Sequence, residues 1–234
     1  MRFDIDQTRY EQVIAWLPIL LMALGLASCT RGHADRGDEP TVKLPPAKRA
    51  GRVSLEEAIA RRRSVRDFAE TTLSDTELSQ LLWAAQGITQ NSLGLRTAPS
   101  AGALYPLEVF LSTQAGVFGY EPETHQLHQF ISTDVRDALF KAALRQESIL
   151  DAPAVFAIVG VYERTGKKYN PTRAKRYVHI EAGHAAQNLL LQAVAMDLAA
   201  APIGAFEDDE VKRVLALPRT HQPLYLVPVG HPAR

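Results

Sequence analysis

Apolar positions first take up a helical rhythm at Ala58 and Ile59, directly behind Ser54-Leu55-Glu56-Glu57, where a serine is followed three residues later by glutamate in a capping-box pattern. Ser74 and Glu77 repeat the device, and Leu78, Leu81, Leu82 and Ala85 then share one helical face, with Gly87 as the stop. The spacing changes at Leu107 to Ser112, which reads as a strand. Gly116 to Tyr120 and Gln126 to Phe130 flank Glu121-Pro122-Glu123-Thr124-His125, a hairpin signal. Asp134 to Leu144 predicts a helix. Ala154 to Val161 is an unbroken apolar, β-branched run, as expected of a central strand. The longest periodic segment runs from about Thr172 to Leu198 and carries Tyr177, Ile180, Leu189, Leu190, Leu191 and Val194. It is apolar on more than one side, which places it centrally or at a subunit interface. A small-residue turn at 199–205, a short helix from Asp208 to Leu217 and a strand from Leu224 to Val229 complete the pattern. Helices and strands interleave without a strict βαβ rhythm, so the expected fold is α+β, a sandwich around a mixed sheet.

The first fifty residues change that picture. Val13 to Ala27 carry no charge and have the length of a signal-peptide core, short for a membrane span. The run ends in Leu26-Ala27-Ser28-Cys29, which resembles a bacterial lipobox. Residues 1–28 are therefore expected to be a lipoprotein-type signal peptide, with Cys29 as the lipidated residue and the cell envelope as the location. An uncleaved membrane anchor or a mis-assigned start is the other reading, since Asp4, Asp6 and Glu11 beside Arg2 and Arg9 are unusually acidic for such a signal; a cytoplasmic face stays open. Residues 29–52, rich in Gly, Pro and charge, predict a flexible linker, and the folded domain is expected over 53–234. Cys29 is the sole cysteine, so intramolecular disulfides and cysteine-rich metal sites are excluded. Lys plus Arg and Asp plus Glu balance at 26 each, which argues against a dedicated nucleic-acid binder.

Candidate chemistry gathers in a few segments. Arg61-Arg62-Arg63-Ser64-Val65-Arg66 offers four guanidinium groups and a hydroxyl, enough for a multi-donor cradle for phosphate, although alone it reads equally as a solvated helix end. Thr97-Ala98-Pro99-Ser100-Ala101-Gly102-Ala103-Leu104-Tyr105-Pro106 is a small-residue loop that lets backbone approach a flat ligand. Ala201-Pro202-Ile203-Gly204-Ala205-Phe206 is a second such turn.

Together these segments resemble the nitroreductase superfamily, in its SagB-type dehydrogenase branch. Arg62, Ser64 and Arg66 match the R-x-S-x-[RK] motif, Pro99 to Pro106 the P-S-A-G-A-L-Y-P loop, and Glu181-x-Gly183-His184-x-x-Gln187-Asn188 and Pro202 to Phe206 also look like that branch. The similarity covers Val53 to His231 in order. It implies a three-layer sandwich of helices flanking a mixed, mainly antiparallel sheet, with FMN bound at the interface of a homodimer. By that match Arg62, Arg63, Ser64 and Arg66 hold the phosphate, ribityl and pyrimidine end of FMN. Pro99, Ser100, Ala101 and Gly102 lie along the isoalloxazine ring, and Gly204 and Ala205 present backbone N–H groups near N5 and O4. Gln146 is a candidate for a further polar contact to the ring, and Arg234 for the phosphate.

Lys168-Tyr169 resembles the Lys-Tyr pair of SagB-type azoline oxidases, where a base removes a proton as hydride leaves. Against this, Lys167-Lys168-Tyr169-Asn170-Pro171 is polar and turn-like, and a solvent-facing loop fits it slightly better. His179, Glu181 and His184 look metal-like but do not share one helical face, so packing or an interface role is expected of them. His125 and His128 are expected at the surface, and Tyr105 divides evenly between lining the flavin and the core. Three functions are open to such a chain: a nitro- or quinone-reducing flavoenzyme fed by NAD(P)H, an azoline-type dehydrogenase, and a non-catalytic flavin-binding lipoprotein.

Overall fold

The computed structural model describes residues 40–233; Cys29, the apolar run before it and Arg234 lie outside them. In chain order the elements are β1 (Thr41–Lys43), α1 (Leu55–Arg61), α2 (Asp75–Gln86), β2 (Ile88–Gln90), β3 (Leu95–Arg96), β4 (Leu107–Thr113), β5 (Gly116–Glu121), β6 (Gln126–Ile131), α3 (Arg136–Ala142), α4 (Glu147–Asp151), β7 (Ala154–Val161), α5 (Tyr162–Gly166), α6 (Pro171–Ala195), β8 (Ala199–Ala200), α7 (Asp208–Val214) and β9 (His221–Gly230). Seven strands form one sheet in the order β1-β6-β5-β4-β7-β9-β8, and β2 and β3 pair apart from it. Every pairing among the described residues is antiparallel, so the mixed sheet expected from the pattern is a purely antiparallel one.

Side chains alternate across the sheet with the two-residue period of extended chain. On β4, Val109 and Leu111 join Leu81, Leu82 and Leu189 of α2 and α6 on one face. Phe110, between them, joins Leu139, Ile149 and Val211 of α3, α4 and α7 on the other. Both faces are thus covered, and β7 is buried at every position, which is why its sequence shows no polar alternation. The result is the three-layer α+β sandwich.

The helices obey their local signals. The capping box of α2 is formed: the Glu77 N–H donates to Ser74 Oγ at 3.3 Å, and the Ser74 N–H to Glu77 Oε2 at 2.7 Å. Ser74→Ala is expected to cost about 1 kcal/mol of stability, read as a lower urea midpoint at unchanged slope. α6 starts at Asn170, whose side chain accepts from the Arg173 N–H at 3.0 Å, with Pro171 in the first turn. It buries Ala174, Val178, Glu181, Ala182, Ala185, Ala186, Leu189, Leu190 and Ala193 in one stripe, against the expectation of burial on several sides; Ile180 is half-exposed.

Three further expectations need correction. The predicted linker does not run to residue 52, because β1 pairs with β6 at the sheet edge and Leu44 enters the core. A strand whose three side chains are all exposed holds on by backbone bonds alone, so its composition does not betray it. The helix expected over Asp134 to Leu144 forms as α3 but ends at Ala142, short of Leu144, which is at positive φ with Arg145 before α4 begins. His125 is not a free surface residue: its Nε2 lies 2.8 Å from Ser79 Oγ and 2.9 Å from the Pro45 carbonyl, and its Nδ1 2.8 Å from the Tyr120 hydroxyl. It pins the segment after β1 to α2.

Candidate functional site

The basic segment lies at the free edge of the sheet. After α1 the chain runs beside β8, the Val65 N–H donating to the Ala200 carbonyl at 3.0 Å. Phe68 then bridges to Pro232, and the Ala233 N–H donates to the Asp67 carbonyl at 3.1 Å, so Arg234 comes next in the chain after a residue tied to this segment. Arg61 is paired with Glu57 and Asp197, and Arg63 turns back to the Ala60 and Arg62 carbonyls, as the end of a helix favours. The guanidinium groups of Arg62 and Arg66 have no partner among the described residues, and Ser64 is exposed beside them. Two cations within five residues, neither in an ion pair among the described residues, suit a dianionic phosphate.

Along the same edge Ile203 bridges to Leu226, and Gly204 and Ala205 come directly after it, both exposed. A side chain at Gly204 would enter open space. Gln146, at the start of α4, donates its amide to the Ala205 carbonyl at 2.8 Å and to Ala143 at 3.1 Å. It props this turn, which is a different task from contacting a ring directly.

The loop 97–106 sits elsewhere, at the end of the sheet where β4 begins and β7 ends. Thr97 anchors it, its N–H donating to the Gly87 carbonyl and its hydroxyl to the Trp83 carbonyl, while Asn188 on α6 donates to the Thr97 carbonyl at 3.2 Å. Ser100 organises the turn after it, its carbonyl accepting from the Ala103 N–H at 3.1 Å and its hydroxyl from the Tyr105 N–H at 2.9 Å. Gly102, Ala103 and Tyr105 all have positive φ, which glycine takes freely but which strains Ala103 and Tyr105 and persists there only where the surroundings enforce it. Pro99 and Gly102 are exposed, and Ser100 and Ala101 partly so.

Lys168 and Tyr169 belong to this loop in space. A Cβ at Gly102 would lie 3.0 Å from Lys168 Nζ and 3.1 Å from the Tyr169 hydroxyl. Lys168 is exposed, yet the pair is packed against the loop instead of projecting from an isolated turn, with Tyr169 edge-on to Tyr177 at 4.9 Å. A polar cluster braces them from behind. Glu108 on β4 takes Arg164 of α5 and, at 2.9 Å, His221 of β9. Burial opposes its ionisation, but the His221 hydrogen bond and the Arg164 charge together hold its pKa at about 2. Arg164 also reaches the Tyr105 carbonyl at 3.4 Å, tying α5 to the loop.

Beneath the loop, Arg96 bonds Gln86 Oε1 at 3.2 Å and Glu123 at 3.0 Å and lies 5.0 Å from the Tyr105 ring centre, so Tyr105 serves the loop's underside. Glu181 is 2% exposed, and its Oε1 has no partner. Burial pushes its pKa up to about 7, against the Ser100 hydroxyl and the Arg96 charge. Sequence reasoning groups Glu181 with His179 and His184 as packing residues and misses its place beneath the loop. Among the described residues no metal-ligand cluster exists, and His179 instead meets the Tyr162 hydroxyl at 2.6 Å. The usable signal is a carboxyl on the apolar stripe of α6, between Val178 and Ala182.

One chain therefore carries two halves. Arg62, Ser64, Arg66, Gly204, Ala205 and Gln146 share the sheet edge, and Pro99 to Gly102, Lys168 and Tyr169 share the loop end. They meet α6 at different levels: Ser100 acts on Glu181 in the middle of the helix, and Arg61 pairs with Asp197 just past its C-terminal end. From Glu181 to Ala195 the helix rises about 21 Å at ~1.5 Å per residue.

Residues 59–231 match the nitroreductase family. The chain is 40% identical over 200 residues to the candidate nitroreductase MJ1384 of Methanocaldococcus jannaschii, covering 83% of this chain and 98% of that one. Its fold superimposes on a candidate nitroreductase from Ralstonia eutropha JMP134 with a TM-score of 0.76 at 26% identity, over 83% of this chain and 90% of the other. The NADPH:FMN oxidoreductase of Vibrio harveyi, complexed with NAD+, shares the fold at a TM-score of 0.59 and 22% identity, over 77% and 69%. With the basic edge, the small-residue turn and the strained loop each in place, the chain belongs to the nitroreductase family of FMN-dependent oxidoreductases.

Proposed function

We propose that the protein transfers hydride through flavin N5 from NAD(P)H to a small acceptor such as a nitro compound or quinone, working as a homodimer with FMN at the interface. The observation that carries this reading is the pair of guanidinium groups, Arg62 and Arg66, which have no partner among the described residues and lie on the edge that also exposes Gly204 and Ala205. FMN, when bound, supplies the two-electron chemistry; the chain binds it, orients it and shields it. Arg62, Arg66 and Ser64, with Arg234, hold the phosphate end, and the N–H groups of the Gly204–Ala205 turn face the ring, propped by Gln146. The loop Pro99 to Gly102 is assigned to a second copy, because on one chain the loop meets α6 at Glu181 while the basic edge meets it past Ala195, at Asp197. Apolar Leu55 and Ile59 of α1 and Ile180 of α6 are exposed at 62%, 55% and 49%, a surface that a second copy would cover. Nicotinamide as donor is supported by the Vibrio harveyi relative, which is complexed with NAD+.

A second reading rests on Lys168 and Tyr169 against Gly102. That pair puts an amine and a phenol at the loop, the groups a SagB-type dehydrogenase needs to take a proton from an azoline as hydride departs. We place the chain at a membrane through lipid on Cys29; among the described residues no helix is long and apolar enough to cross one.

An absorbance spectrum of the purified protein, taken before and after anaerobic addition of NADPH, tests the first reading. Flavin bands that bleach support it. Bands that persist under NADPH but bleach with an azoline move the assignment to the second. A colourless protein that takes up no FMN overturns both.

A further inference from the structure

Most buried polar groups of the chain are paired, but three orphans gather beneath the loop: Glu181 Oε1, Gln86 Nε2 and Arg96 Nε. They belong to one neighbourhood, since Arg96 bonds Gln86 and its charge bears on Glu181. A carboxyl oxygen left without a donor on an apolar helical stripe is destabilising, and nothing in the packing of α6 requires it. An alanine or leucine would fill a stripe made of Val178, Ala182 and Ala185.

The groups facing Glu181 are few. Arg96 of β3 and Ser100 of the loop approach it from outside α6. On α6 itself Tyr177 and His184 stand one turn away on either side. Lys168 and Tyr169 touch the loop at Gly102, two residues beyond Ser100. Arg96 continues to Glu123, whose side chain is 48% exposed, so the network reaches solvent.

We infer that Glu181 is a proton-holding, positioning residue of the redox site, taking up one proton when the cofactor lying on the Ser100 loop is reduced and releasing it on reoxidation. This rests on the flavin reading of the site. The charge balance is simple. Hydride delivers two electrons and one proton, so the site gains one negative charge. In a low-dielectric setting that charge disfavours a neighbouring carboxylate. The Glu181 carboxylate then accepts a proton from solvent at its unpartnered oxygen; one O–H bond forms, and the new negative charge is offset. Loss of the electron pair to an acceptor reverses the step. With a pKa of about 7, the carboxyl stands ready to change state near neutrality.

The test is the midpoint potential of the FMN-loaded full chain as a function of pH, in wild type, Glu181→Gln and Glu181→Asp. Above about pH 7, where Glu181 is ionised in the oxidised protein, the wild type and E181D are expected to take up as much as one more proton per electron pair than E181Q. That is a slope difference of ~30 mV per pH unit, the tenfold change per unit converted for a two-electron couple. Parallel slopes in wild type and E181Q overturn the inference. A readout on wild type alone covers the case in which E181Q does not fold: the infrared difference between reduced and oxidised protein. A protonated-carboxyl band that appears on reduction and shifts in heavy water supports the role, and its absence overturns it. A wild type that binds no FMN overturns the flavin reading itself, and is told apart by its colour.

Discussion

Alanine at Arg62 and Arg66 together is expected to weaken FMN binding by ~10²- to 10⁴-fold, because each charge-assisted bond to phosphate is worth about 1.5–3 kcal/mol. The size of the effect reflects what these side chains lack in the free chain. Neither guanidinium has a partner among the described residues, so no ion pair among those residues competes with phosphate for them. Arg63 is the internal contrast. It is already bonded to the Ala60 and Arg62 carbonyls, and Arg63→Ala is expected to weaken FMN binding by less than tenfold. Quenching of FMN fluorescence across a titration gives the constants. Riboflavin, which has no phosphate, separates the two readings of the cluster: a phosphate cradle loses FMN affinity while riboflavin affinity holds. FMN retained at full affinity by the double variant would mean the arginines are a solvated helix end.

Much of the fold is legible because its signals are local. The serine-glutamate spacing at Ser74 and Glu77 predicts a cap, and the cap forms. The hairpin around Glu121 to His125 is readable from turn residues between alternating strands, and β5 and β6 pair across it. The elements that escape are held by longer-range contacts. β1 hides in a polar stretch because its only requirement is a free sheet edge offered by β6. The break between α3 and α4 places Gln146 where it reaches Ala205, 59 residues on, and no helical period records such a contact. The same limit applies to the site. The motif segments can be picked out by resemblance, but their division between the sheet edge and the loop at the start of β4 emerges only from the topology. Glu181 shows a third kind of blindness: its neighbours in sequence are histidines, which invite a metal reading, while its neighbours in space are Ser100 and Arg96.

Lys168→Ala is expected to lower the rate of azoline dehydrogenation by ~10²- to 10⁴-fold, the usual contribution of a positioned base, if the second reading describes the chemistry. The reason is geometric. Gly102 has φ of +66°, where a side chain is strained, and a Cβ there would press on both Lys168 Nζ and the Tyr169 hydroxyl. Glycine at this point thus keeps the loop's backbone close to the amine and the phenol. α5 fixes that approach from behind, because Arg164 joins Glu108 to the Tyr105 carbonyl two residues before β4. Gly102→Ala should therefore disturb the same rate without removing any functional group, by moving the pair off the loop. Tyr169→Phe isolates the hydroxyl, since the edge-on packing against Tyr177 survives the change. Rates are to be measured on FMN-saturated protein, with the flavin spectrum of each variant confirming that cofactor is retained. A wild-type rate of azoline oxidation that Lys168→Ala leaves intact would return Lys168 to the role of a solvated loop residue. A wild type that oxidises no azoline, yet is bleached by NADPH, leaves the nitro- or quinone-reducing activity as the function of the site.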